Sequence, residues 1–140
     1  MKRTASAHWS GNLQSGAGTV STASGTLSKT PYSFHSRFEQ GQGTNPEELL
    51  AAAHAGCFTM ALSLVLQKAG LTADSLDTNC VISLDKDGEG FSITSSHLEL
   101  RAKVPNATPE AFEAAAQAAK ANCPVSKLYD TEITLDAKLV

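Results

Sequence analysis

Apolar and polar residues alternate most cleanly at the C-terminus, where Ile133, Leu135, Ala137 and Leu139 interleave with Thr134, Asp136 and Lys138. A period of two predicts a strand. Val81–Asp85 and Gly90–Thr94 flank Lys86-Asp87-Gly88-Glu89 and predict a β-hairpin, whose return strand continues through Leu98 to Val104. The apolar positions of that strand are odd at Phe91 and Ile93 but even at Leu98 and Leu100, so a bulge or bend is expected between Thr94 and His97. Upstream, Ala7–Trp9, Gly18–Thr22 and Ser33–Glu39 lie between Gly and Pro punctuation and predict a β-meander. In the last of these, alternation puts Phe34, Ser36 and Phe38 on one face and aims Arg37 away from the two rings.

The period changes at Asn45-Pro46-Glu47-Glu48, which combines an Asn N-cap, Pro at the first helical position and acids in the first turn. The helix it opens is expected to reach Lys68-Ala69 and stop at Gly70. From Leu49 to Leu66 it is apolar almost all round, broken by His54, Gly56, Thr59 and Ser63. The segment is Ala-rich, mid-chain and without interfacial aromatic anchors, so it reads as a buried core helix rather than a membrane span. So small a chain has little material to surround such a helix, which implies an oligomer. Thr108-Pro109-Glu110 opens a second helix running to about Ala121; Asn122-Cys123-Pro124 interrupts it, and Pro124 can restart a short helix through Tyr129. The pattern is α+β.

Composition narrows the picture. With 140 residues, 41% hydrophobic and 18% charged, the expectation is one globular domain over 1–140. A net charge of −3 gives no basic footprint for nucleic acid or an anionic membrane surface. The N-terminal MKRTASAHWSGN lacks the apolar stretch of a secretory signal, so the cytoplasm is the expected compartment.

Three cysteines without Cys-x-x-Cys spacing fit neither a disulfide-stapled scaffold nor a zinc ribbon. Cys57, inside the apolar helix, and Cys80, at a strand start, are both compatible with simple burial. Cys123 precedes Pro124, where the free N–H groups of a new helix would favour a thiolate. A zinc site from His54, Cys57 and Cys123 lacks a fourth ligand, and a lone His on an apolar helix is more often a satisfied core residue.

Gly43-Thr44-Asn45-Pro46-Glu47-Glu48-Leu49-Leu50-Ala51-Ala52-Ala53-His54-Ala55-Gly56-Cys57-Phe58, together with Asn122-Cys123-Pro124-Val125-Ser126, resembles the OsmC/Ohr family of peroxiredoxin-like organic hydroperoxide reductases, the OsmC branch more than Ohr. The likeness continues through Tyr32–Glu39, Val81–Lys86 and Glu132–Asp136. It implies an OsmC-like fold, with antiparallel strands wrapped around a long buried central helix in an intertwined homodimer. It implies that Cys57 is the peroxidatic thiol, Cys123 the resolving thiol, and Arg37 with Glu47 the polar pair activating the site. It implies no bound cofactor or metal, and an external dithiol reductant in the form of dihydrolipoyl groups, carried by a lipoylated protein. Ala53, Phe58, Met60 and Ala61 would give Cys57 an apolar lining suited to an alkyl hydroperoxide. The competing reading is a non-catalytic stress-induced protein whose cysteines pack or hold metal. Glu47 and Cys57 are ten residues apart, so on one continuous helix they lie ~15 Å apart along the axis. A second subunit is therefore expected to bring Glu47 level with Cys57.

Overall fold

The computed structural model describes residues 1–129 and 131–140, in two compact units, Met1–Leu49 and Leu50–Val140. In the first unit β1 (Ala5–Ser10), β2 (Ala17–Thr22) and β3 (Thr30–Tyr32) form an antiparallel sheet in that order. Gly18 pairs with Trp9 on one side and Tyr32 on the other. Its missing side chain lets the two rings meet across the middle strand at a centroid distance of 5.4 Å; a Cβ there would lie 2.4 Å from Tyr32 Cε1.

The strand expected over Ser33–Glu39 is instead a helix, α1 (Phe34–Phe38). Ser33 is its N-cap, accepting from the Ser36 amide (3.1 Å) while its own amide donates to Ser36 Oγ (2.8 Å). This reciprocal cap has Ser where Glu or Gln is usual. Phe34 and Phe38 then stack one turn apart, centroids 4.9 Å. Arg37 does not point away from the rings: its guanidinium lies over Phe38 at 5.2 Å.

Helix α2 runs Pro46–Lys68, opened by the Glu48 amide donating to Asn45 Oδ1 (2.8 Å) and ended near Gly70 at φ 75°. The chain buries one face of it. His54, Phe58, Leu62 and Leu66, spaced by four, are buried, whereas Ala52, Ala53, Gly56, Met60, Ser63 and Leu64 are exposed. The helix is long and apolar enough to cross a membrane, a property it shares with core helices of soluble proteins.

In the second unit β4 (Ser75–Asp87) and β5 (Gly90–Lys103) form the hairpin, and β6 (Glu132–Leu139) pairs with β5. Ser83 faces Ser95 while Leu84 faces Ile93, which leaves Thr94 as the extra residue where the parity change predicted a bulge. The β5–β6 pairing is parallel, a correction to the all-antiparallel expectation. α3 (Pro109–Asn122) is capped by Thr108 and buries Phe112, Ala115, Ala116 and Ala119, and the stripe continues to the fully buried Cys123. Pro124 restarts the chain as α4 (Pro124–Leu128). These side chains pack with Phe58, Leu62, Leu66, Leu98, Leu100 and Ala102 in one core.

Candidate active site

Cys57 lies on α2 one turn after His54, and Cys123 at the joint of α3 and α4, where its amide donates to Ala119 O (2.9 Å). Although 66 residues separate them in sequence, their sulfurs are 2.7 Å apart, with the free Cys123 thiol donating to Cys57 Sγ. Burial pushes the Cys57 thiol above its usual pKa, and the bond from Cys123 pushes the same way, while the Val125 amide opposes both by hydrogen-bonding to the sulfur. The amide at the start of α4 thus acts on Cys57. Cys80, on β4, is half-buried against the core with its sulfur 3.4 Å from Ser96 Oγ, and burial raises its pKa.

His54 is fully buried, its Nδ1 2.6 Å from Ser96 Oγ on β5 and its Nε2 2.8 Å from Ser126 Oγ on α4. Burial depresses its pKa, favouring the neutral ring. Tyr129 stands edge-on to it at 5.0 Å and donates to Leu50 O at 3.0 Å. Both ring nitrogens are engaged by serines, and among the described residues no group of three or more His, Cys, Asp or Glu is placed to hold a metal.

The second pair belongs to the first unit. Asn45, besides capping α2, donates from Nδ2 to Ser36 O (3.1 Å), and Ser36 Oγ donates to Thr44 O (2.9 Å). These bonds join α1 to the start of α2 and set Arg37 beside Glu47. Arg37 Nη2 donates to Glu47 Oε1 at 2.7 Å, and Nε lies 3.2 Å from both carboxylate oxygens. Glu47 is buried and Arg37 partly exposed. Trp9, Leu13, Tyr32, Ser33, Phe34, Arg37, Phe38 and Pro46 line a cavity of about 290 Å³.

The four candidate residues therefore form two pairs, Arg37 with Glu47 and Cys57 with Cys123, and the unbroken α2 keeps Glu47 and Cys57 ~15 Å apart along its axis. The apolar lining expected around Cys57 is corrected in two places: Phe58 is fully buried in the core and Met60 is 75% exposed. Ser96, Ser126 and the aromatic cavity were not singled out as functional; Ser126 was within reach, lying beside Cys123 in a segment that carried the resemblance.

An α+β protein with a hairpin sheet, a long apolar helix and a close pair of thiols, one half-buried on that helix and one buried at a helix joint, defines the class. The OsmC-like protein model matches residues 39–138, and the chain belongs to that family. It is 53% identical to peroxiredoxin OsmC of Escherichia coli strain K12 over 95% of this chain and 93% of that protein. Similar solved structures include an OsmC-like protein of unknown function from Vibrio cholerae (TM-score 0.78, 20% identity, 98% and 99% of the two chains). The organic hydroperoxide resistance protein OhrB of Bacillus subtilis also matches (TM-score 0.68, 25% identity, 98% of each chain).

Proposed function

We propose that the protein is a cytoplasmic thiol peroxidase that reduces organic hydroperoxides, its 140 residues acting as one domain with Cys57 as the peroxidatic and Cys123 as the resolving thiol. The observation that carries this reading is the approach of the two free sulfurs to 2.7 Å across 66 residues of sequence. The names of the relatives, a peroxiredoxin and an organic hydroperoxide resistance protein, support it. Cys57 thiolate attacks the terminal oxygen of ROOH; an S–O bond forms, the O–O bond breaks, and the alkoxide takes a proton to leave as ROH. Cys123 then attacks the sulfenic sulfur, forming the disulfide and releasing water. An external dithiol, taken to be a dihydrolipoyl group on a lipoylated protein, returns two electrons and two protons by exchange, and no bound cofactor takes part.

A thiol whose pKa is raised by burial needs a cation to become a nucleophile. The Arg37 guanidinium, held by Glu47 in a fork, suits that task and can donate to peroxide oxygens. Because α2 is unbroken between Glu47 and Cys57, we assign the cation to the other chain of a homodimer, with Arg37 and Glu47 of one subunit serving Cys57 of its partner. The exposed apolar face of α2 fits a second copy of the same helix. The cavity of Trp9, Tyr32, Phe34 and Phe38 beside Arg37 suits an alkyl or aryl group and favours organic peroxides over hydrogen peroxide by ~0.8 kcal/mol per buried CH₂.

The test is a peroxidase assay comparing cumene hydroperoxide with hydrogen peroxide, with dihydrolipoamide and thioredoxin as separate donors, joined to peptide mapping of the oxidised protein. A Cys57–Cys123 disulfide and faster turnover of the organic peroxide with dihydrolipoamide support the reading. Dominant pairing through Cys80, or three thiols inert to peroxide, overturns it.

A further inference from the structure

Three parts of the chain meet at His54, and the cycle above makes no use of it. The ring sits on α2 three residues before Cys57 and engages two hydroxyls on different elements, Ser96 on β5 and Ser126 on α4. The two contacts are not equivalent. Ser96 belongs to the hairpin and its neighbour in the network is Cys80. Ser126 belongs to the five-residue turn that supplies both groups acting on Cys57, because its neighbour Val125 gives the amide that lowers the thiol pKa and Cys123 caps the same turn.

So short a helix has no independent stability and takes its place from what it is tied to. α4 is tied to α2 at two points, by Ser126 to His54 and by Tyr129 to Leu50 O, and Tyr129 also closes edge-on over the ring. A fully buried imidazole with both nitrogens engaged is fixed in rotation, and because both partners are hydroxyls that can donate or accept, either neutral tautomer keeps both bonds. It is a stiff strut between the backbone that carries Cys57 and the turn that carries its partners.

We propose that His54 is a positioning residue of the thiol pair: through its Nε2 bond to Ser126 it holds α4 so that the Val125 amide and Cys123 face Cys57. The proposal rests on the assignment of Cys57 and Cys123 as the redox couple. Its consequence is directional. The Nε2 arm serves the thiols, and the Nδ1 arm to Ser96 serves packing.

Asparagine and glutamine separate the arms, because the Asn amide reaches roughly where Nδ1 lies and the Gln amide roughly where Nε2 lies. His54→Asn should keep the Ser96 contact and lose Ser126; His54→Gln should do the reverse. Two readouts are taken on the intact protein, the pH midpoint of Cys57 alkylation by iodoacetamide and the rate of Cys57–Cys123 disulfide formation after one equivalent of cumene hydroperoxide. His54→Asn should form the disulfide about tenfold more slowly or worse, the scale of loss that small misplacement of a reacting group produces, with a higher alkylation midpoint. His54→Gln should recover most of both. Ser126→Ala and Ser96→Ala form a second pair, with the defect expected only in the first, and they decide the matter if the His54 variants do not fold. Equal defects within either pair, or normal rates in His54→Asn and Ser126→Ala, overturn the proposal. Failure of the wild type to form the disulfide at all overturns the redox assignment instead, which the alkylation midpoints do not depend on.

Discussion

Gly56 sits in the middle of α2 on the face the chain leaves exposed, and among the described residues a Cβ added there meets no heavy atom within 4 Å beyond its chain neighbours and the helix's own backbone. Nothing among the described residues requires glycine at this point. Glycine in a helix interior is about 1 kcal/mol less favourable than alanine, so in an isolated chain Gly56→Ala should stabilise the fold by about that amount. The sign reverses if α2 packs against its copy. Ala51, Ala52, Ala55 and Gly56 form a small-residue strip near the two-fold that would relate the helices, and symmetry doubles whatever one methyl does. Overpacking a close contact costs about 1–3 kcal/mol, which outweighs the gain in helix propensity. Gly56→Ala should therefore raise the dimer dissociation constant by about tenfold or more, each decade being about 1.4 kcal/mol. Sedimentation equilibrium over a concentration series reads this directly, with thermal unfolding at high and low protein concentration as a companion. An unchanged association state together with a raised melting temperature would refute the reasoning, since it would mean that no helix approaches Gly56.

Mixing Glu47→Ala chains with Cys57→Ser chains should restore part of the activity lost in each, because a heterodimer built in trans contains one site free of both substitutions; no recovery in verified heterodimers counts against that arrangement. Phe34→Ala opens the aromatic cavity beside Arg37, and kcat/KM for cumene hydroperoxide should fall by about tenfold, while that for hydrogen peroxide changes little. Equal losses for the two peroxides would remove the cavity from substrate selection. The depressed pKa of buried His54 fixes a sign for acid stability: the unfolded chain takes up a proton that the folded one resists. Stability from this residue is present above the ordinary His value of about 6.5 and is lost as pH falls towards the lower folded pKa, so urea melts of His54→Gln should show a flatter decline on the acid side than wild type.

How much of this was legible in the sequence depends on whether the determinant is local. Asn45-Pro46-Glu47-Glu48 marks the start of α2, Gly70 its end, and the parity change between Ile93 and Leu98 marks the bulge at Thr94, because caps and pleats act over a few residues. The helix at Phe34–Phe38 is disguised in the sequence because Phe34, Ser36 and Phe38 satisfy a period of two, while Phe34 and Phe38 are also one helical turn apart. The deciding signal was Ser36 doing the work of Glu in the cap. The direction of β6 was out of reach for another reason: alternation says which face is apolar and is the same read either way, so it cannot distinguish parallel from antiparallel pairing.

The site follows the same rule. Asn45 joins α1 to α2 by contacts within ten residues, and the Arg37–Glu47 pair follows from it. The meeting of Cys57 with Cys123 depends on packing between two buried stripes, one spaced by four from His54 to Leu66 and the other from Phe112 through Ala119 to Cys123. Each stripe is visible in the sequence, but their pairing is not; that expectation came from the family resemblance. What remains on α2 once its inner stripe is buried is an outer face of Ala52, Ala53, Gly56, Met60 and Leu64. An amphipathic helix would have placed charge there. This one places alanine, glycine and leucine, so the proposed homodimer would cover an apolar face that the chain itself leaves bare.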